Sequence, residues 1–187
     1  MKTLLKVIAG FLLGIVVVIA GLSTFASRLA FSEVESPFGV EETVARIQQN
    51  IQNAGNGWSL SGLRNAAKPI ENDGGNTLPV LMIEACTTKY SGPILKNDAT
   101  RFLSILMPCK ISVYKKSNGK VYIGLMNARL IGRLFGSEVG ALMEHVAADQ
   151  AKFIAFDPTK PAPAMITAPA GGGSGTGGAA GGAAGGC

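Results

Sequence analysis

Histidine occurs once in these 187 residues, tryptophan once and cysteine three times. One histidine excludes a histidine-rich metal centre and makes any catalytic triad depend on the single ring of His145. No Cys-x-x-Cys is present, which removes the thioredoxin-type redox motif, and no Cys-x-x-Cys-His is present for covalent haem. No glycine-rich turn stands before a helix to cradle phosphate, because the densest glycines fall in the low-complexity stretch 171–186. There is no platform of interleaved aromatic and basic residues, so the net charge of +5 does not read as a nucleic-acid surface.

Charge is missing altogether between residues 7 and 27, with Lys2 and Lys6 before the run and Arg28 closing it. Crossing a bilayer's hydrocarbon takes roughly 20 apolar residues, whereas a cleavable signal peptide has an apolar region of about 7–15 and a small-x-small site. Thr24-Phe25-Ala26 is a fair form of such a site. The run is apolar on every face and begins at residue 7, so it does not read as a core-facing helix. Its length favours an uncleaved membrane anchor over a cleaved signal. Two lysines before the run against one arginine after it put the amino terminus in the cytoplasm. The chain is therefore expected at the inner (cytoplasmic) membrane, with its domain facing the periplasm or cell exterior, or secreted to that side if the signal is cleaved. No cysteine lies near the end of the run, so lipoprotein processing is not indicated.

At the other end, residues 158–187 are rich in Pro, Gly and Ala. Such a segment buries too little apolar surface to offset the entropy of ordering it and reads as a disordered tail. Its last residue, Cys187, is the odd thiol. It is suited to intermolecular pairing, or is incidental.

Between these ends, Val40, Val44, Ile47 and Ile51 recur at helical spacing and predict a helix over 40–53, with Glu41 and Glu42 in its first turn and Gly55 placed to end it. Residues 57–61 read as a short extended piece, and 63–73 has room for a short helix. A buried central strand is expected over 78–85, leading into Cys86. Pro93 is placed to open a helix that carries Ile94, Leu95, Phe102, Leu103 and Leu106, with Pro108 closing it. The runs 109–114 and 121–125 flank Ser117-Asn118-Gly119-Lys120, and Asn-Gly between alternating runs is a strong hairpin signal. A last helix is expected over 137–156, with Val139, Met143, Val146, Gln150 and Phe153 facing inward. The order predicts an α+β fold, a single two-layer domain with a mostly antiparallel sheet and helices packed on it, preceded by the transmembrane or signal segment. Lys115, Lys116 and Lys120 gather at the hairpin turn, where a solvated edge is the ordinary reading and an acidic or lipid surface the other.

Cys86 and Cys109 carry most of the possible chemistry. In an exported domain they read as a disulfide, a redox couple or half of a soft-metal site. Geometry decides. A bond needs Cα atoms within about 7 Å, which antiparallel neighbouring strands provide and a parallel crossover does not. Closing such a loop contributes roughly 3 kcal/mol by restricting the unfolded chain. Lys89 and Lys110 stand near enough in sequence to lower a thiol pKa, although loop lysines are usually just solvated. Met143 and His145 complete, with the cysteines, a set of soft ligands of the kind that suits Cu(I). Against this, Met143 lies on the core stripe, and His145 lies on a helix flank with Asp149 one turn later, where a solvated pair is the commoner arrangement. Trp58 reads as a core anchor or a pocket wall.

The middle of the chain resembles the domain-of-unknown-function 302 family, in its two-cysteine, exported subset. The resemblance is carried by Gly39-Val-Glu-Glu-Thr-Val and its helix, Gly57-Trp-Ser-Leu60, Leu81-Met-Ile-Glu-Ala-Cys86, Leu106-Met-Pro-Cys109-Lys-Ile-Ser-Val-Tyr114, Met126-Asn127, Gly132-Arg-Leu-Phe-Gly136 and Met143. It spans about residues 33–157. It implies a compact α+β domain with a tendency to form homodimers, and no particular activity. It also implies that the fold does without these cysteines.

The resulting expectation is a membrane-anchored, outward-facing, non-catalytic module that binds an unidentified protein or small molecule, held to the membrane through residues 7–27, with Cys86 and Cys109 close together. No catalytic residue is assigned and no cofactor is required. The alternatives are a thiol-redox or sulfur-carrier protein using Cys86 and Cys109, and a copper or other soft-metal binder using Cys86, Cys109, Met143 and His145.

Overall fold

Alternation of apolar and polar residues in the hairpin sets the plane of the whole domain. In β4 (Cys109–Lys115) Ile111 and Val113 are fully buried, and in β5 (Val121–Met126) Val121, Ile123 and Leu125 are buried, so one face of the hairpin is apolar. β3 (Val80–Cys86) joins β4, β2 (Ser59–Asn65) joins β3, and β1 (Phe31–Ser36) joins β5, all antiparallel, in the order β1-β5-β4-β3-β2. The structure is a computed structural model that describes residues 2–166, of which 2–5, 9 and 22–28 are described by backbone alone.

Two long helices cover the apolar face. α2 (Val40–Asn53) presents Val44, Ile47 and Ile51, all fully buried. α6 (Ser137–Phe153) presents Val139, Met143, Val146 and Phe153 to the same core. Each large apolar side chain removed from water contributes about 1.5–3 kcal/mol, so this face accounts for most of the cohesion of the two layers. Helix α1 (Lys2–Ala30) precedes β1, and its described apolar side chains from Val7 to Ile19 are largely exposed. Among the described residues no helix is long and apolar enough to cross a membrane. The run expected to do so, 7–27, extends into residues whose side chains lie outside the description.

Several elements differ from expectation for physical reasons. β1, which has no apolar alternation, is held by ladder bonds to β5 and by Glu33 and Glu35, which pair with Lys116 (2.6 Å) and Lys120 (2.9 Å). Two of the lysines at the hairpin turn are thereby given partners within the chain. The helix expected to open at Pro93 instead begins five residues earlier. Thr87 Oγ1 accepts from the Lys89 N–H and caps α4 (Thr88–Lys96), with Pro93 inside it. Asn97 then breaks the run, and residues Arg101–Leu106 form a separate 3-10 helix, tied back by Thr100 Oγ1 donating to the Ile94 carbonyl at 2.9 Å. Short helices α3 (Lys68–Asn72) and α5 (Ala128–Arg133) fill the remaining connections.

The expected disorder from residue 158 onward does not hold for residues 158–166. Arg46 donates to the carbonyls of Asp157 and Lys160 at 3.2 and 2.8 Å. The fully buried Gln48 amide both donates to the Ile166 carbonyl (2.6 Å) and accepts from its N–H (2.8 Å). Side chains of α2 bonded to its backbone, together with Met165 packed against the core, strap this Pro/Ala segment to the domain. Cys187 lies outside the described residues.

Candidate binding cavity

The antiparallel pairing of β3 and β4 brings Cys86 and Cys109 to the same end of neighbouring strands. In the register, however, Ala85 is the partner of Cys109, and Cys86 lies one residue further on. The two cysteines are thus not a directly opposed cross-strand pair, and Cys109 carries a free thiol, so the bond expected between them is not formed. Burial pushes the Cys109 thiol up to about 11 against the opposing effect of the Lys110 charge. It is therefore protonated at neutral pH and a weak nucleophile in this environment. Lys89 Nζ donates to Asn56 Oδ1 at 2.7 Å.

Both cysteines line one cavity of about 40 Å³ at this end of the sheet. α4 and the 3-10 helix wall one side, with Ile94, Leu103 and Leu106, and α5 and α6 wall the other, with Ile131, Val139, Leu142 and Val146. Met107, Met126 and Met143 also line it, so sulfur from three methionines and two cysteines borders a single space. A space of this size holds a few water-sized bodies, and an apolar lining of this kind stays dry or takes an apolar group.

The close approach of α5 to α6 that shapes the cavity depends on Gly132. A Cβ there would lie 2.5 Å from Met143 Cβ, closer than real carbon contacts allow. Met143 therefore packs against a glycine on one side and borders the cavity on the other.

Beneath the cavity sits a polar cluster that was only half legible beforehand. Asp149, expected on a solvated flank with His145, is instead 2% exposed. Its Oδ2 accepts from Trp58 Nε1 (2.9 Å), Tyr90 OH (3.0 Å) and Asn56 Nδ2 (3.1 Å), and its Oδ1 accepts from Lys152 Nζ (2.6 Å). Burial pushes the Asp149 carboxyl up, but the bonds from Lys152, Trp58, Asn56 and Tyr90 outweigh it and hold the group below the usual Asp value. The physical reason for the misplacement is helical geometry: Asp149 follows the inward Val146 by three residues and precedes the inward Phe153 by four, so it shares their face. His145 makes no bond to it. The imidazole is exposed and stacks on the Tyr90 ring, centroids 6.1 Å apart, and does not border the cavity. Trp58 is both anchor and wall, buried edge-on against Phe153 at 5.1 Å and Tyr90 at 5.9 Å while lining the cavity. Tyr90, which joins the network to the cavity wall, was missed, since a lone tyrosine after Thr-Thr-Lys gives no period.

Of the candidate ligands, then, Cys86, Cys109 and Met143 share the cavity and His145 stands apart. Among the described residues no group of three or more His, Cys, Asp or Glu side chains is placed to hold a metal ion.

A mostly antiparallel five-stranded sheet with helices on one face, closing an apolar cavity at one end, defines the class as a small two-layer α+β domain. The chain belongs to the family described as Domain of unknown function DUF302, whose model matches residues 32–156. It is similar in structure to an uncharacterized conserved DUF302 protein from Bacillus stearothermophilus, with a TM-score of 0.59 and 16% identity, over 67% of this chain and 96% of that one. At that identity the likeness shows the fold. No curated protein matches the chain.

Proposed function

We propose that the chain is a membrane-anchored, outward-facing, non-catalytic binding module whose ligand-holding element is the apolar cavity beside Cys109. The cavity carries the reading, because its lining offers shape and apolar contact with few polar groups to orient a reaction, and its thiol is protonated. The ligand class this favours is a small apolar molecule or the tip of an apolar side chain from a partner protein. Anchoring is supported by the uncharged run 7–27 and by the exposure of the described apolar side chains of α1.

The test of binding is a thermal-shift titration of the detergent-solubilised full chain with benzene and indole as probes. A saturable rise in Tm is expected, and Val139→Leu, which adds a methylene into the space, is expected to abolish it. A rise that is unchanged in Val139→Leu places the binding elsewhere and defeats the reading. Anchoring is tested by alkaline carbonate extraction of native membranes, with retention in the pellet expected; release into the supernatant defeats it.

The soft-metal reading draws its support from the sulfur lining of the cavity, with Met107, Met126 and Met143 beside Cys109. Metal analysis of protein from its native source, with alkylation before and after graded reduction, tests it together with the thiol-redox reading. A metal-free protein whose Cys109 alkylates only after unfolding speaks against both.

A further inference from the structure

Large apolar side chains are not spread evenly over the surface of the domain. Within residues 31–166 only four are more than 60% exposed: Phe31 (62%), Phe102 (62%), Ile105 (82%) and Leu134 (70%). All four belong to one end. Phe31 opens β1 opposite Met126, and it shares a groove with Ile105 of the 3-10 helix and with Pro108. Phe102 meets Phe135, the neighbour of Leu134, edge to face with centroids 5.9 Å apart. Of the other exposed apolar residues in this range, Phe135 belongs to the same contacts, and Val34, Ile70 and Leu78 are each less than half exposed.

That same end is where the amino-terminal helix leaves the domain. β1 follows α1 without a break at Ala30–Phe31, and the start of α5 is tied to the end of α1. The Asn127 N–H donates to the Ala30 carbonyl at 2.8 Å, and its side-chain amide donates to the Leu29 carbonyl at 2.9 Å. Arg101 directly precedes Phe102 and Arg133 directly precedes Leu134, and Arg129 shares Glu144 with Arg133. Each also has an acidic neighbour, Asp98 for the first and Glu144 for the other two, so their charges are nearly balanced and the patch itself is apolar.

We propose that this end of the domain lies on the lipid bilayer, with Phe31, Phe102, Ile105 and Leu134 seated at the boundary between headgroups and acyl chains and the three arginines at phosphate level. The inference rests on the anchored reading of α1 and deepens it: the anchor enters the membrane beside this patch, so the domain is seated on the surface instead of swinging on a tether. Continuity with α1 selects a bilayer over a second copy of the chain, and apolar side chains flanked by arginine match the interface of a membrane in chemistry.

The experiment reconstitutes the full-length chain into phosphatidylcholine–phosphatidylglycerol vesicles, with or without acyl-chain bromination, and reads tryptophan emission from Ile105→Trp, Leu134→Trp and Ile70→Trp. Buried Trp58 supplies a constant background. Brominated lipid is expected to quench the added emission of the first two roughly twofold or more, as insertion of several ångströms into the interface requires, and to leave Ile70→Trp unchanged. Equal quenching at all three positions, or none at 105 and 134 in protein that floats with the vesicles, overturns the docking while leaving the anchor intact. Emission at 105 shielded from both brominated lipid and aqueous iodide shows a second copy or another protein on the patch, and also overturns it. Full-length protein that does not float with the vesicles overturns the anchored reading, and the docking with it.

Discussion

Replacing Asp149 by Asn keeps the shape of the side chain and removes its charge, which makes it the sharpest probe of how the two layers are fastened. Four groups donate to the carboxylate: Trp58, Tyr90 and Asn56 at one oxygen and Lys152 at the other. A hydrogen bond to a charged partner contributes about 1.5–3 kcal/mol against about 1 for a neutral pair, so neutralising the acceptor for the three inner donors is expected to cost about 2–3 kcal/mol in all. Lys152 is largely exposed, and its ion pair adds little. Tyr90→Phe removes one of these bonds and is expected to cost about 1–2 kcal/mol, with a coupling of at least about 0.5 kcal/mol to Asp149→Asn in a double-mutant cycle. The pH dependence has a definite sign. The folded carboxyl lies below the usual Asp value, so its contribution is complete above about pH 4, the ordinary range for Asp, and is lost as pH falls through the lower folded value. Urea unfolding of the full chain in mild detergent, at pH 7 and at steps down toward pH 3, measures both effects. If Asp149→Asn matches the parent at pH 7, or loses the same stability on acidification, the charged hub does not hold the layers together.

The Cys109 thiol, held at about 11 by burial, is expected to react with iodoacetamide at pH 8 roughly 200-fold more slowly than an ordinary cysteine of pKa about 8.5, from thiolate fractions alone; a rate within a few fold of a free cysteine, assigned by peptide mass spectrometry, refutes the protonated, unactivated thiol. Gly132→Ala is expected to destabilise by about 1–3 kcal/mol through its contact with Met143, read as a lower denaturant midpoint at unchanged slope; no change in midpoint shows that α5 is free to shift. Lys116→Ala, which removes the exposed pair with Glu33, is expected to change stability by less than about 1 kcal/mol. A larger loss, measured in the same urea series, makes that pair the main fastener of β1.

Periodicity determined much by itself. The apolar repeat of 40–53, the Asn-Gly turn between alternating runs and the inward stripe of the last helix each encode a local structure whose burial needs no knowledge of neighbours, and the structure has α2, the β4–β5 hairpin and α6 in those places. Strand β1 was illegible because its stability comes from ladder bonds and from pairing with lysines about eighty positions away, neither of which leaves an apolar period. The strap at 157–166 was illegible for a related reason: backbone carbonyls and N–H groups of any sequence satisfy Arg46 and Gln48. At the site, the sequence pointed to Cys86, Cys109 and Met143, and tertiary structure gathers them around one cavity. Only the register of β3 against β4 decided that Ala85, not Cys86, stands opposite Cys109. A one-residue offset carries no signal in composition, and Cys109 is left as a free, half-buried thiol. Helical spacing from Val146 and Phe153 already puts Asp149 on the inward face of α6, but only tertiary structure supplied Trp58, Tyr90 and Asn56 as donors that make it a hub, and left His145 an exposed ring.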